Sequence, residues 1–145
     1  MTIRQAKPHD LAAFVRLALL LWPENDPDEL TAEFAPLLER SDAAVFLCED
    51  EGQAVGFAQC QLRQDYVEGC ETSPVGYLEG VFVEETHRRQ GAAGTLVAAC
   101  QAWARQQGCR EFASDCELDN TDSLRFHLAI GFEEANRIIC FTKRL

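Results

Sequence analysis

The sequence predicts a mixed α/β fold in which a central, mostly antiparallel sheet carries helices on both faces. The first observation is the element order indicated by apolar periodicity, βααβββαβαβ(β), in which strand-like and helix-like segments alternate. The second is a hairpin around Gly52, since a short turn joins antiparallel neighbours. The third is a long helix between two later strands, which is typical of a mixed sheet covered on both sides.

The N-terminal part of the chain contains one strand and two helices. Residues 2–6 have the pattern of a short strand, and Pro8 opens a helix that ends at Trp22. A second helix is predicted over residues 28–40, where leucines repeat at helical spacing. Pro36 lies inside this segment, so we expect the helix to kink or split there.

The middle of the chain is strand-rich. Residues 43–48 and 54–63 form the two arms of the hairpin around Gly52. Glycine and proline then indicate a loop over residues 65–75. The next strand is predicted over residues 76–83.

A long amphipathic helix follows, over residues 92–107. Its apolar positions keep the 3.6-residue period, and Gly108 ends it as a C-cap glycine does. A strand is predicted next, over residues 110–115.

The C-terminal part is predicted to contain a helix and a final hairpin. The helix starts at Asn120 or Thr121 and ends at Gly131. Residues 132–135 and 137–143 are expected to pair as two strands that complete the sheet.

Length and charge restrict the functional classes. At 145 residues the chain is expected to form one domain, residues 1–145, and its N-terminus lacks the apolar core of a signal peptide, so we expect a cytoplasmic protein. The formal net charge of −11 disfavours nucleic acid and anionic membranes as partners. It weakly favours a cationic partner, although a merely solubilising acidic surface explains it equally well.

The cysteines predict buried, reduced thiols rather than a disulfide framework or a metal site. The seven cysteines are an odd number, no two are spaced as Cys-x-x-Cys, and only three histidines are present to assist metal binding. Most of the cysteines have apolar neighbours in the sequence, where a free thiol acts as a small hydrophobic group. No metal is therefore expected.

The most specific motif is Arg-Arg-Gln-Gly-Ala-Ala-Gly, residues 88–94, between a predicted strand and the long helix. Small residues at a helix start leave backbone N–H groups free, and together with the helix dipole they form an anion site. The spacing fits neither a Walker A loop nor a Rossmann turn. The alternative is a plain strand-to-helix turn with surface arginines.

This motif resembles the pyrophosphate loop of the GNAT acetyltransferase superfamily, with Arg88, Gly91 and Ala93 at its signature positions. Alanine replaces glycine at position 93, which the family often allows. The strand before the loop and the later Asn120 and Gly131-Phe132 are also similar to that family. The resemblance implies the GNAT fold and acetyl-CoA as co-substrate. The implied cofactor-binding residues are Val81, Phe82, Val83, Arg88, Arg89, Gln90, Gly91, Ala92, Ala93, Gly94, Thr95 and Asn120.

A narrower resemblance is to the aminoglycoside 6'-N-acetyltransferases. It rests on Glu-Thr-Ser-Pro-Val-Gly-Tyr-Leu-Glu-Gly at residues 71–80, Tyr-Val-Glu-Gly at 66–69, Phe-Ala-Ser-Asp at 112–115 and Leu-Trp-Pro at 21–23. The resemblance implies acetyl transfer to the 6'-amine of an aminoglycoside by direct attack in a ternary complex, and hence antibiotic resistance. It also implies a homodimer, with the apolar segment 138–141 at the interface.

Two carboxylates are the candidates for acceptor binding and catalysis, since a polycationic amine is recognised by carboxylates and must lose a proton before it attacks. Glu79 lies within an apolar strand, and we expect it to be the general base, directly or through water. Asp115 ends the next strand and is expected to bind a substrate ammonium and to share the base role. The alternatives are an outward-facing strand glutamate for Glu79 and a helix-capping or turn aspartate for Asp115.

Three further residues are candidates on weaker grounds. Trp22 and Tyr66 are expected to form apolar walls against the sugar rings, with a core position as the alternative. His127 occupies the position, four residues before Gly131, where many GNAT enzymes place a tyrosine that protonates the leaving thiolate. A histidine can supply that proton, but a structural histidine and an unassisted thiolate remain the alternatives.

Two other functions are compatible with the cofactor motif. One is a GNAT enzyme for another small amine or a peptide N-terminus, which leaves the string at residues 71–80 unexplained. The other is a non-catalytic acyl-CoA-binding module, which would have no need of Glu79 and Asp115.

Overall fold

A five-stranded sheet in the order β1-β2-β3-β4-β5 forms the centre of the protein, for which a computed structural model describes residues 1–145. Every neighbouring pair is antiparallel except the parallel pair β4–β5. The predicted mixed, mostly antiparallel sheet is therefore confirmed. Its strands are β1 Thr2–Gln5, β2 Ala43–Asp50, β3 Gln53–Arg63, β4 Val75–Val83 and β5 Phe112–Ala113.

Four α-helices accompany the sheet. They are α1 Leu11–Leu21, α2 Pro27–Phe34, α3 Ala92–Gln106 and α4 Thr121–Ala129. Asp26 caps α2 by accepting a hydrogen bond from the backbone N–H of Glu29 at 3.0 Å. The α2 helix gives way at Ala35–Leu38 to one turn of 3₁₀ helix that contains Pro36, so the predicted split at this proline is confirmed. No helix is long and apolar enough to cross a membrane.

Alternating side chains of the central strands face two separate cores. On β2, Val45 and Leu47 pack with α1 and α2, whereas Ala44 and Cys48 pack with α3. Phe14 and Phe34 stack in the first core with ring centroids 4.5 Å apart. Helices thus lie on both faces of the sheet, as predicted from the element order.

The β5 strand is shorter than predicted, which corrects the expectation of a strand over residues 110–115. Only Gly76 and Tyr77 of β4 pair with it. After Ala113 the chain leaves the sheet, and the side chain of Ser114 makes the next contacts, with the carbonyl of Leu78 at 3.3 Å and with His127. Residues 78–83 of β4 consequently have no strand beside them on the β5 side.

The predicted C-terminal hairpin is wrong, because residues 132–145 contain no strand. Phe132 still packs on Phe112, with ring centroids 6.0 Å apart, but every later residue is exposed. Asn136 hydrogen-bonds to Glu68 at 2.8 Å and so turns the segment towards the β3–β4 loop. The apolar residues 138–141 have the composition of a strand, but a strand also needs a partner, and no strand of the chain lies beside them.

All seven cysteines are free thiols. The prediction of buried thiols is confirmed for most of them, since four are buried and one is half-buried. The two that are exposed are Cys116 and Cys140.

Candidate active site

A β-bulge in β4 leaves Glu79 without a partner on the neighbouring strand. Gln59 of β3 pairs with Gly80 and the next residue, Cys60, pairs with Leu78, so Glu79 is an extra residue without a partner on β3. A bulge changes the direction of a side chain and increases local twist. Leu78 and Val81 both face the α3 core, whereas a Cβ at Gly80 would meet Trp22 in the opposite core. Glu79 contacts the same arginine that lies over Tyr77.

Arg63 holds the carboxylate that the bulge presents. Its Nη2 lies 3.0 and 3.1 Å from the two carboxylate oxygens of Glu79. The same guanidinium lies flat against Tyr77, with Cζ 3.4 Å from the ring centroid. The Glu79 side chain is 21% exposed, so it remains accessible from one direction.

Tyr77 connects this pair to the second candidate carboxylate. Its hydroxyl donates a hydrogen bond to Oδ2 of Asp115, and its ring is buried in a small cluster with Val67 and Val75. Burial, together with the bond to Asp115, raises the pKa of Tyr77 well above its ordinary value. The tyrosine therefore stays protonated and remains a donor to Asp115. The two acids proposed from sequence are thus linked in one chain of contacts through Arg63 and Tyr77.

Trp22 covers the strand next to Glu79. A Cβ added at Gly80 would lie 2.6 Å from Cη2 of the indole, so only glycine permits this close contact. The indole also packs near Phe34 and Phe57, with ring centroids 6.3 and 6.1 Å away. Trp22 therefore serves the core and also borders the region around Glu79. Tyr66 is 76% exposed in the β3–β4 loop, which excludes a core position for it.

The start of α3 presents a row of free backbone donors. The N–H groups of residues 89–94 have no hydrogen-bond acceptor within the chain, and the first helical bond at this end runs from Thr95 to the carbonyl of Gly91 at 3.0 Å. Gly91 has φ +80 and a Cβ added to it would meet nothing within 4 Å. Arg89 also has positive φ, at 62°. These donors and the helix dipole fit the pyrophosphate of a coenzyme A thioester.

The side chains of the two arginines in the motif differ in their contacts. Arg88 folds back along β4, where its Nε donates to the carbonyl of Val83 at 2.7 Å and its Cζ lies 5.5 Å from the ring centroid of Phe82. This fixes the turn between β4 and α3 and gives the carbonyl of Val83, which is expected to serve the cofactor, one partner within the chain. The side chain of Arg89 makes no hydrogen bond within the chain and is exposed.

The open edge of β4 connects the two halves of the site. Residues 78–83 include Glu79 and lead to the turn that begins α3. No strand pairs with them on the β5 side. An extended amide-containing chain such as pantetheine can hydrogen-bond to a free strand edge. The residues present therefore fit acetyl-CoA, and the placement of its phosphates at residues 89–94 and of its arm along residues 81–83 stays a prediction.

His127 has hydrogen-bond partners at both ring nitrogens. Nδ1 lies 2.7 Å from the carbonyl oxygen of Ser123, and because a carbonyl only accepts, Nδ1 carries a proton. Nε2 lies 2.8 Å from the Ser114 hydroxyl, which donates to it when the ring is neutral; the one O–H of Ser114 is then not given to the carbonyl of Leu78, 3.3 Å away. Only a protonated ring carries a proton on Nε2, and that proton would reach a thiolate through Ser114. The acid role of His127 stays a prediction.

Asn120 and Thr95 have local structural partners. The Oδ1 of Asn120 accepts the N–H of Ser123 at 3.1 Å and caps α4, which leaves its amide nitrogen free. The Thr95 hydroxyl donates to the carbonyl of Gly91 at 2.9 Å. The cofactor-binding roles expected for both residues stay predictions.

Sequence reasoning did not identify three residues of this region, Arg63, Tyr77 and Ser114. Tyr77 precedes Glu79 by two positions, which is a signal that the two share a strand face. Arg63 ends the neighbouring strand, but its contact with Glu79 depends on the β3–β4 register and on the bulge. Ser114 lies beside Asp115 in a segment that we predicted to be a regular strand.

Comparison with known proteins identifies the family. Residues 11–132 match the family model described as the acetyltransferase (GNAT) family. This chain belongs to the GNAT acetyltransferase family. The recognition made from residues 88–94 is therefore confirmed.

Within the GNAT family, the chain is similar over its whole length to aminoglycoside N(6')-acetyltransferases type 1. The protein of that name from Stenotrophomonas maltophilia is 47% identical, with 97% of this chain and 91% of the relative covered. The one from Serratia marcescens is 45% identical, with 94% and 95% covered.

Solved structures agree with these relatives. AAC(6')-Iy in complex with a bisubstrate analogue, CoA-S-monomethyl-acetylneamine, has a TM-score of 0.95 and 42% identity, with 99% of this chain and 98% of that chain covered. AAC(6')-Iy in complex with CoA has a TM-score of 0.96 at the same identity, with 99% and 95% covered. These scores confirm the GNAT fold.

Proposed function

We propose that this protein is an aminoglycoside 6'-N-acetyltransferase, which transfers the acetyl group of acetyl-CoA to the 6'-amine of an aminoglycoside and thereby confers antibiotic resistance. The observation that carries the proposal is the linkage of Glu79 and Asp115 beside the open edge of β4. Two adjacent carboxylates suit a polycationic amine, and the relatives with this printed activity match the chain from end to end.

Acetyl-CoA is held by the backbone in this proposal. The free N–H groups of residues 89–94 bind its pyrophosphate, assisted by the positive end of the α3 dipole and the charge of Arg89. The edge of β4 at Val81 and Val83 binds the pantetheine arm and directs the thioester towards Glu79. Backbone recognition of this kind requires no particular side chain, which explains why small residues dominate the motif.

The acceptor is held by carboxylates. Ammonium groups of the aminoglycoside bind Asp115 and Glu79 through charge-assisted hydrogen bonds, while Trp22 and Tyr66 contact the sugar rings. The net charge of −11 attracts a polycation over longer distances. An acceptor with several amines uses this arrangement better than a peptide N-terminus does, since the latter offers only one charge.

The chemical step joins the amine nitrogen to the thioester carbon. Glu79, directly or through a water molecule, takes a proton from the 6'-ammonium, and the neutral amine then attacks. The C–S bond breaks as the amide C–N bond is completed, and the nitrogen gives up its second proton to solvent. Coenzyme A leaves as a thiolate, or as a thiol when a protonated His127 supplies a proton through Ser114. Direct attack requires both substrates to be bound at once, acetyl-CoA at residues 81–94 and the acceptor at Glu79 and Asp115.

The test is release of free thiol from acetyl-CoA. Purified protein is given kanamycin or tobramycin, and a matched analogue with a hydroxyl in place of the 6'-amine is the control. We expect rapid release with the amine and background release with the control. Equal rates with both compounds, or background with both, would refute the 6' assignment.

We further propose that two copies associate through the C-terminal segment, residues 138–141. Ile138, Ile139 and Phe141 are among the most exposed large apolar side chains of the molecule, and Phe141 is 87% exposed. An apolar segment with unpaired backbone groups is favourable only when it is covered. A second copy supplies the same segment and the same sheet edge by symmetry, so a homodimer covers both.

The proposed activity also suggests where the protein works and how it is organised. Acetyl-CoA and free thiols are both maintained in the reducing cytoplasm, which suits seven unpaired cysteines. We propose a cytoplasmic enzyme in which residues 1–145 act as one catalytic domain.

A further inference from the structure

Arg63 is a cation inside a site that is expected to bind cations. It is the last residue of β3, and its guanidinium lies between the Glu79 carboxylate and the Tyr77 ring. A positive charge at this position repels an ammonium acceptor, so its presence needs a reason. The alternative is an ordinary surface ion pair, which contributes little to stability.

Arg63 contacts Glu79 on one side and Tyr77 on the other, and we call this arrangement the clamp. One nitrogen, Nη2, reaches both oxygens of Glu79, at 3.0 and 3.1 Å, and this centres the donor on the carboxylate. The face of the guanidinium rests on Tyr77, and Tyr77 is itself buried and bonded to Asp115. The clamp therefore rests on a buried ring rather than on a mobile surface.

We propose that Arg63 is a positioning residue, which fixes the Glu79 carboxylate in the orientation needed for proton removal and is itself fixed by the ring of Tyr77. The inference rests on the proposed function. A glutamate at a bulge has three side-chain torsions and, without a partner, samples several rotamers. A base must lie within hydrogen-bond reach of the proton that it removes, so the loss of this orientation lowers kcat.

The contribution of Arg63 is to kcat rather than to cofactor binding. Arg63 makes no contact with residues 88–95, where the phosphates are expected. Arg63→Ala is therefore expected to lower kcat about 10- to 100-fold, by analogy with other losses of catalytic geometry. The KM for acetyl-CoA should stay within about twofold.

Chemical rescue distinguishes positioning from a general structural role. Guanidinium ion at millimolar concentration is added to Arg63→Ala, with urea and sodium chloride at the same concentrations as neutral and ionic controls. We expect guanidinium to restore kcat several-fold and neither control to do so. A kcat that is unchanged by the substitution, or one that guanidinium fails to raise, would overturn the proposal.

Two matched variants complete the test. Arg40 forms a comparable pair with Asp42, at 2.8 Å, outside the site, so Arg40→Ala should leave kcat and guanidinium response unchanged. If Arg63→Ala does not fold, Arg63→Lys and Arg63→Met replace it, since lysine keeps the charge and methionine keeps only the stem. The proposal requires the lysine variant to retain more activity, and equal loss in both contradicts it.

A structural readout separates failure of this inference from failure of the proposed function. If the wild-type protein releases no thiol with a 6'-amine, the proposed function fails. The crystal structure of Arg63→Met then still tests the clamp, because Glu79 should adopt another rotamer. If the wild-type enzyme is active but the Arg63 variants have an unchanged kcat, the inference is refuted and the proposed function is not. The same holds if Glu79 keeps its rotamer in the Arg63→Met structure.

Discussion

The hydroxyl of Tyr77 donates a hydrogen bond to Oδ2 of Asp115, so a buried side chain of β4 determines where an exposed carboxylate after β5 lies. Asp115 follows a strand of only two residues, and its backbone is not held by the sheet. The tyrosine supplies the missing constraint. Because the same ring supports Arg63, both carboxylates of the site depend on one residue of the core.

Removal of that hydroxyl should weaken catalysis while the fold is retained. Tyr77→Phe keeps the ring and its contact with Arg63 but leaves Asp115 without its donor. A hydrogen bond to a charged group contributes about 1.5–3 kcal/mol, part of which water replaces at an exposed aspartate, so we expect kcat/KM to fall about tenfold. Steady-state kinetics on both proteins measures this. In an Asp115→Asn background the same change should have little further effect, and full additivity would contradict the linkage.

Substitution of Glu79 should act on the proton-transfer step. Glu79→Gln keeps the size of the side chain but removes the base, and general-base catalysis is typically worth about 10²–10⁴-fold, so we expect kcat to fall by at least about 100-fold. The matched control is Glu84→Gln, because Glu84 is also paired with an arginine, Arg16, at 2.7 Å. A loss in the control as large as that in Glu79→Gln would show that charge, not position, is responsible.

The loop before α3 offers a second matched pair. Gly91 and Gly52 have φ of +80 and +78, and neither has any atom within 4 Å of an added Cβ. Alanine therefore imposes a similar strain of about 1 kcal/mol at each position. Only at Gly91 would the methyl group also approach the phosphates of the proposed binding mode. We expect Gly91→Ala to raise the KM for acetyl-CoA about tenfold and Gly52→Ala to leave it unchanged. Equal KM values in the two variants would argue against phosphate binding at this turn.

The N-terminal ion pair predicts a pH-dependent contribution to stability. Asp10 accepts hydrogen bonds from Arg4 at 2.7 and 2.8 Å and from the N–H of Lys7 at 2.8 Å. The bonds from Arg4 are the main reason that the pKa of Asp10 is lowered to about 2. A lowered pKa stabilises the folded state above the unfolded pKa of 3.8, and this stabilisation is lost as the pH falls from there towards 2.

Asp10→Asn should therefore cost about 1–2 kcal/mol at pH 7, after allowance for the partial exposure of Arg4. The difference from wild type should shrink as the pH is lowered from about 4 to 3. Urea unfolding followed by circular dichroism at pH 7, 5, 4 and 3 measures it. A difference that stays constant over this range would show that the Asp10 charge contributes nothing.

The C-terminal segment predicts an effect on association. Phe141→Asp places a charge in the apolar segment that we propose lies between two copies, and a charge there is unfavourable when buried. Sedimentation velocity should show a dimer for the wild type and a monomer for the variant. A monomeric wild type, or a variant that remains dimeric, would refute this interface.

The elements that could be predicted from sequence are those determined by local pattern. The turn at Gly52, the helix after Gly91 and the split at Pro36 each depend on residues within a few positions of one another. The structure of the C-terminal segment could not be predicted from local pattern. Its apolar composition favours a strand, but whether a strand forms depends on a partner that local pattern does not reveal.

The site divides in the same way. The candidate phosphate loop is identifiable from sequence because backbone N–H groups at a helix start form an anion site whatever the rest of the fold is. Each of the two carboxylates can be proposed from sequence on its own, as an acid with no evident structural role. Their connection through Arg63 and Tyr77 was not predictable, because it depends on a one-residue bulge that shifts the register between β3 and β4.

The distribution of thiols determines how easily this enzyme can be assayed. Burial raises the pKa of Cys48 and Cys109, and the Cys60 thiol beside it together with burial raises that of Cys100, so these sulfurs stay in the unreactive protonated form. Only Cys116 and Cys140 are fully open to a disulfide reagent such as Ellman's. The protein should thus contribute a small, early absorbance step of about two equivalents. Any further increase in absorbance can be attributed to coenzyme A, so turnover can be followed continuously in one cuvette.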